Sequence, residues 1–208
     1  MTILAQNSLN FWERSIKRFV DFLGASLGFS LTWWIILICY IVACIDTRSN
    51  GLFIQKRIGR YGKLFYLIKL RTMRNDRSFH TNVTTDKDPR ITNIGRFFRK
   101  TKLDELPQLF NIILGQMSFV GPRPDVPGYA DNLSGDDRII LTVRPGITGP
   151  ATLKYRNEES TLAEQANPER YNDEVIYPDK IKLNKEYVEN YSLRKDMEYI
   201  WRTIFQKY

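Results

Sequence analysis

The stretch FLGASLGFSLTWWIILICYIVACI, residues 22–45, runs for 24 residues without a charge. A membrane helix needs about 20 predominantly apolar residues at about 1.5 Å of rise each, so the count suffices and a plain soluble globule is excluded. The quality is uneven. Gly24, Ser26, Gly28, Ser30 and Thr32 dilute the first half, and only 33–45 is continuously apolar. Those residues make about 20 Å of helix, short of the hydrocarbon core. Arg14, Lys17 and Arg18 precede the stretch, and Arg48, Lys56 and Arg57 follow it. Positive charge at both flanks draws both ends to the cytoplasm. A helix that enters, bends and returns satisfies length and charge together, whereas a single span satisfies only length. A buried core helix is the third reading. The run begins too late for a cleavable signal, and no small-residue cleavage site follows it.

Outward from this stretch, the composition is that of a folded protein. Of 208 residues, 43% are hydrophobic and 26% charged, which excludes disorder throughout. The expected organisation is an N-terminal lead and membrane helix over 1–50, followed by one cytoplasmic domain over 51–208. The formal charge is +8, and it is divided sharply. Residues 51–103 carry 14 Lys/Arg against 3 Asp, a net of +11, while 104–208 carry 13 Lys/Arg against 17 Asp/Glu, a net of −4. A basic block beside a membrane segment calls for anions: lipid head groups, a phosphorylated ligand or nucleic acid. The two cysteines, Cys39 and Cys44, both lie in the apolar stretch and read as packing residues of a reducing compartment.

All nine prolines lie from Pro89 onward, most in VGPRPDVPG (120–128) and VRPGITGP (143–150). Each cluster specifies a shaped loop. Leu103, Leu106, Phe110, Ile113 and Leu114 share one helical stripe, and Leu193, Met197, Ile200, Trp201 and Ile204 share another. Bulky residues without helical spacing in GLFIQKRIG and KLFYLIKLRTM predict strands. The fold class expected is α+β, mostly helical with a small β element.

The chemistry concentrates in DPRITNIGRFFRKTKLDELPQLFN, 88–111. Asp104 and Glu105 just before Pro107 suit the first turn of a helix running through Leu114, where two acids would complement the helix dipole by about 1 kcal/mol. Their company argues for more than capping. Arg90, Arg96, Arg99, Lys100 and Lys102 precede them, and Arg123 and Arg144 lie in the shaped loops. Adjacent helical residues diverge by about 100°, so the two carboxylates cannot form a same-face acid–base pair. They can serve one site in different roles, one attacking and one binding a metal. Mg²⁺ takes one or two carboxylates plus phosphate oxygens, and arginine clamps those oxygens bidentately.

KRFVDFLGA (17–25), FIQKRIGRYGKLFYLIKLRTM (53–73), DPRITNIGRFFRKTKLDELPQLFNIILGQMSFVGPRP (88–124), VRPGITG (143–149) and YVENYSLRKDMEYIWRTI (187–204) resemble the bacterial sugar transferase family, monotopic phosphoglycosyl transferases that initiate glycan assembly on polyprenol phosphate. The resemblance covers nearly the whole chain. It implies a re-entrant membrane helix and a catalytic domain on the cytoplasmic face of the bacterial inner membrane, in contact with its lipid. It further implies a UDP-sugar donor, a polyprenol (undecaprenyl) phosphate acceptor and Mg²⁺. By position it makes Asp104 the nucleophile that forms a covalent phosphosugar and Glu105 its Mg²⁺-associated partner, both near the metal. Arg99, Arg123 and Arg144 are expected at the substrate phosphates, with Lys69 and Arg71 as further candidates that lipid head groups could also engage.

Three places depart from the family pattern. Trp33-Trp34 stands where Ser-Pro is common, which removes the simplest cause of a bend but supplies interface-seeking anchors. PATLKYRNEES follows the TG of RPGITG, and Asn184 stands where Asp is frequent. The two later departures lie where the sugar would be discriminated, so the sequence names no sugar; an N-acetylated hexose, with or without deoxygenation, is what the resemblance implies. A homodimer is compatible with the sequence. His80, in RSFHTNV, reads as a surface residue and not a base. The competing class is a membrane-tethered basic module for anionic lipid or nucleic acid, with Phe53, Phe65, Tyr66, Phe79, Phe97 and Phe98 among the basic residues. No nucleic-acid fold signature is present, and an acidic dyad would repel phosphate unless a metal intervened.

Overall fold

The computed structural model describes residues 9–75, 85 and 88–205. Phe79 and His80 lie outside them. The apolar stretch is the centre of a single 37-residue helix, α1 (Phe11–Thr47). Asn10 and Glu13 start it with a reciprocal capping box: the Asn10 side chain accepts from the Glu13 N–H, and Glu13 accepts from the Asn10 N–H. Arg48, in the left-handed region, ends it. The hydrogen-bonded ladder is uninterrupted at Trp33-Trp34, because no proline removes an N–H there. By length and composition α1 can cross a membrane.

The two predicted β runs form an antiparallel hairpin, β1 (Leu52–Ile58) and β2 (Leu64–Leu70), with Leu52 opposite Leu70 and Ile58 opposite Leu64. Its turn passes through Tyr61 and Gly62, both at positive φ. Helix α2 (Asn93–Thr101) begins at Thr92, whose hydroxyl accepts from the Gly95 N–H. A 3₁₀ turn (Leu103–Glu105) and helix α3 (Gln108–Ile113) follow. The two proline-rich loops then meet. β3 (Ser118–Val120) pairs in parallel with β4 (Gly146–Thr148), the Gly121 N–H donates to Thr148 and the Gly146 N–H donates to Pro122. A Cβ on Gly146 would sit 2.2 Å from the Gly121 nitrogen, so only glycine permits this approach. Helices α4 (Pro150–Lys154), α5 (Glu158–Ala163), α6 (Pro168–Tyr171), α7 (Tyr177–Glu189) and α8 (Leu193–Phe205) complete the chain, with a π turn between α6 and α7. The fold is mostly helical with two small sheets, as the α+β reading expects.

Three apolar clusters hold it together. One gathers Val120, Ile139, Ile140, Leu141 and Val143 around Ile181, Tyr187 and Val188 of α7. The other two include α1: Ala25 packs with Phe65, Leu67, Leu109 and Ile112, and Cys39 and Ala43 pack with Leu70 and Phe98. Near its start, Lys17 pairs with buried Asp196 of α8, and the Asp21 carboxylate accepts from the Phe119 N–H. One face of α1 is therefore docked from Lys17 to Thr47. The opposite face exposes Phe19, Leu23, Leu27, Leu31, Trp34, Ile38, Ile41 and Ile45.

Two helical stripes depart from the sequence reading. In α3 the buried apolar positions are Leu109 and Ile112, beside buried Gln108 and Asn111, while Phe110 and Leu114 are exposed, because the helix begins after the 3₁₀ turn and is rotated relative to one starting at Asp104. In α8 the predicted stripe exists but Met197, Trp201 and Ile204 face outward.

Candidate active site

Asp104 and Glu105 do not occupy the first turn of a long helix. Lys102 closes α2 in the left-handed conformation, its N–H donating back to Arg99 and Phe98, and the chain turns at once through the 3₁₀ turn into Pro107 and α3. Neither acid caps a helix. Successive residues of a 3₁₀ turn diverge by about 120°, so the carboxylates take separate surroundings.

Glu105 is buried, and its Oε1 accepts from Lys69 Nζ of β2 at 3.2 Å and from an Arg123 terminal nitrogen at 2.8 Å. Burial alone would raise its pKa; Lys69 first and Arg123 next outweigh that and hold the carboxyl far below the usual glutamate range. Asp104 is buried too, but its Oδ1 has no hydrogen-bond partner in the described structure. Burial raises its pKa, Lys69 opposes the rise and Glu105 adds to it. One carboxylate is thus clamped by cations, while its neighbour keeps an unsatisfied oxygen in a cationic setting.

Arg99 attracts Asp104 from α2 and pairs with Glu159 of α5, leaving its other terminal nitrogen buried and unpartnered. Asp104, Glu105, Lys69, Arg123 and Arg99 therefore come together as the sequence expects. Arg71 does not join them: its donors go to the Asn50 and Leu52 carbonyls and to Asn75, stitching β2 to the end of α1. Arg144 does not join them either. Its Nε donates to the Gly115 carbonyl beyond the far end of α3, and its charged neighbours are Arg60 and Arg18. Trp33 and Trp34 are half-exposed on α1.

The sequence reading missed Arg57 and Asp125. Burial, and then Arg123, bring Arg57 down to about 10, while burial raises Asp125 to about 6 against the pull of Lys180 and Arg57. Arg57 donates to the Pro124 carbonyl, and the Ile58 N–H donates to the Asp125 carbonyl. The quoted motifs contained both residues, but only strand pairing brings IQKRIG beside GPRPD. Glu158 and Glu159 lie in the divergent acidic segment, which carried no signal for the site. Asn184 is buried on α7 with its Oδ1 unpartnered.

Among the described residues no group of three or more His, Cys, Asp or Glu side chains converges as a ready-made metal site; what the dyad offers a cation is the unsatisfied Asp104 Oδ1, with any further ligands left to a substrate's phosphate oxygens. The model for bacterial sugar transferases matches residues 12–208. The chain belongs to the bacterial sugar transferase family. It is 34% identical to the galactosyl transferase CpsE of Streptococcus agalactiae, covering 95% of this chain and 44% of that one. It is 34% identical to the undecaprenyl-phosphate galactose phosphotransferase of Salmonella typhimurium, covering 76% and 33%. It is 30% identical to the UDP-N-acetylgalactosamine-undecaprenyl-phosphate N-acetylgalactosaminephosphotransferase of Aeromonas hydrophila, covering 91% and 43%. The chain spans less than half the length of each of these three.

Proposed function

We propose that this sugar transferase moves a sugar 1-phosphate from a UDP-sugar to polyprenol phosphate, releasing UMP and giving a polyprenol diphosphate sugar. The observation that carries the reading is the unequal pair: Glu105 clamped by Lys69 and Arg123, and Asp104 beside it with a free, desolvated oxygen. Names of relatives supply the acceptor class, undecaprenyl phosphate, and one of them names a UDP-sugar.

In the first step an Asp104 oxygen attacks the β-phosphorus, the bond to the bridging oxygen breaks, and UMP leaves with the electron pair. In the second step a phosphate oxygen of the lipid attacks the same phosphorus and Asp104 is released as carboxylate. Splitting one displacement into two is covalent catalysis. Arg99 and Arg123 meet the phosphate oxygens, and Lys69 holds the site's charge. Mg²⁺ held by Glu105 and Asp104 together with donor oxygens would offset the diphosphate charge. Lys69 and Arg123 favour the ionised form of Glu105, which suits a ligand.

We also place α1 at the cytoplasmic face of the inner membrane, as an unbroken helix that lies in the membrane surface without crossing it. Both of its ends dock on the same body, through Lys17–Asp196 at one end and Cys39 and Ala43 at the other. A helix so held does not deliver its ends to opposite sides of a bilayer, and its outward apolar face suits a shallow position.

The solubilised chain, given undecaprenyl phosphate, Mg²⁺ and a panel of UDP-sugars, should form a lipid diphosphate sugar and UMP with at least one donor. Chelation of the metal and Asp104→Asn should each abolish product. Undiminished product in the Asp104→Asn variant would overturn the reading.

A further inference from the structure

Beyond the far end of α3 from the dyad, Arg14 and Arg18 of α1, Arg60 of the hairpin turn and Arg144 before β4 line an open cleft of about 590 Å³ together with Phe19 and Phe22. The carbonyls at the end of α3 organise it. Arg18 donates to Ile112 and Ile113, and Arg144 donates through Nε to Gly115. Arg60 donates to the Thr142 carbonyl and the Tyr61 hydroxyl. Neutral acceptors fix these guanidiniums without discharging them, and Arg18, Arg60 and Arg144 pair with no carboxylate among the described residues. Asp21 attracts Arg144 from a distance but accepts from Phe119, and Glu13 is committed to the α1 cap. The terminal nitrogens of Arg144 make no hydrogen bond in the described structure. Clustering of like charges normally calls for an anion between them.

We propose that this cleft binds the phosphate of an anionic bilayer phospholipid. Two observations select that occupant. The arginines are interleaved with Phe19 and Phe22, the start of the apolar face that α1 exposes along its length, so an occupant's phosphate and the first carbons of its chains meet matching surfaces. The cluster also lies apart from the dyad: Arg18 and Arg144 bond the Ile112, Ile113 and Gly115 carbonyls at the end of α3, whereas Asp104 and Glu105 precede its start. A phosphate held here is at the wrong end of α3 to be transferred, which suits a lipid that orients the enzyme and is not consumed. The inference rests on the membrane placement above and is independent of the Asp104 chemistry.

The test uses the full chain in uncharged detergent with four probes: dioctanoyl phosphatidylglycerol, dioctanoyl phosphatidylcholine, glycerol 3-phosphate and farnesyl phosphate. Native mass spectrometry reads binding, and thermal unfolding reads stabilisation. Phosphatidylglycerol should bind and raise Tm. Binding should weaken roughly tenfold or more in Arg60→Ala/Arg144→Ala and stay unchanged in the charge-matched control Arg96→Ala/Lys100→Ala, which alters exposed residues of α2. Should the double variant fail to fold, Arg144→Gln, which retains an N–H for Gly115, carries the comparison. Equal phosphatidylglycerol binding in variant and parent would overturn the proposal. So would glycerol 3-phosphate binding as well as the lipid, which would mark a small-anion site. Preference for farnesyl phosphate over phosphatidylglycerol would overturn it in favour of an acceptor site. Loss of lipid binding with UMP release intact would leave the catalytic reading standing.

Discussion

At the residue scale, the proposed chemistry rests on two neighbouring carboxyls held in opposite conditions. Glu105 is stabilised as an anion, so Glu105→Gln strands Lys69 and Arg123 against each other. That variant should lose about 3 kcal/mol of stability, and Lys69→Met in the same chain should recover part of it, read as a double-mutant cycle in denaturant unfolding. Asp104 behaves oppositely. Its burial disfavours the charge, so Asp104→Asn should keep or raise Tm while ending turnover. The sign of the pH effect follows: a raised carboxyl pKa means that the attacking anion is lost on acidification above the ordinary aspartate value of 3.8. The acid limb of UMP release should therefore lie above that value. In Lys69→Met it should move further up, since Lys69 is the largest influence holding the Asp104 pKa down. An acid limb unmoved by that substitution would contradict the assignment.

At the element scale, the seam between α1 and the hairpin is set by a close approach. A Cβ on Gly51 would fall 2.4 Å from the Tyr40 carbonyl oxygen, and the Gly51 N–H donates to Cys44 Sγ. Gly51→Ala should cost about 1–3 kcal/mol, measured as a fall in the unfolding midpoint, because helix backbone cannot yield as a side chain can. This is also the scale at which the sequence was most and least legible. Both hairpin strands were readable, since Leu, Ile, Phe and Tyr there break helical spacing and Gly59 and Gly62 bound the turn. The 3₁₀ turn carrying the dyad was not: Leu103, Leu106 and Phe110 fit a helical stripe by spacing alone, and the left-handed Lys102 that resets the phase leaves no mark in composition. Arg144 reads as a phosphate ligand because it follows a shaped loop, yet a hydrogen bond to Gly115, 29 residues earlier, sends it elsewhere. Long-range pairings of this kind decide the site, and local pattern does not encode them.

At the scale of the whole molecule, one helix does two jobs. The face of α1 running from Lys17 to Thr47 belongs to the core, while its outer face carries exposed leucines and tryptophans, and the outward stripe of α8 adds Trp201 and Ile204. Leu27→Glu/Leu31→Glu places charge only on that outer face. It should release the chain from vesicles in a flotation assay while leaving unfolding stability in detergent within about 1 kcal/mol of the parent. Retention on vesicles would show that this face is not the one that meets lipid.

The most direct test of the central claim is a single-turnover measurement without lipid acceptor: the chain, Mg²⁺, a UDP-sugar that supports turnover, and an Asp104→Asn control. The account predicts a burst of UMP roughly stoichiometric with enzyme, together with a phosphosugar mass adduct mapping to Asp104, and neither in the control. UMP release that requires polyprenol phosphate in every case, with no adduct at any time, would contradict a covalent Asp104 intermediate and leave direct transfer in its place.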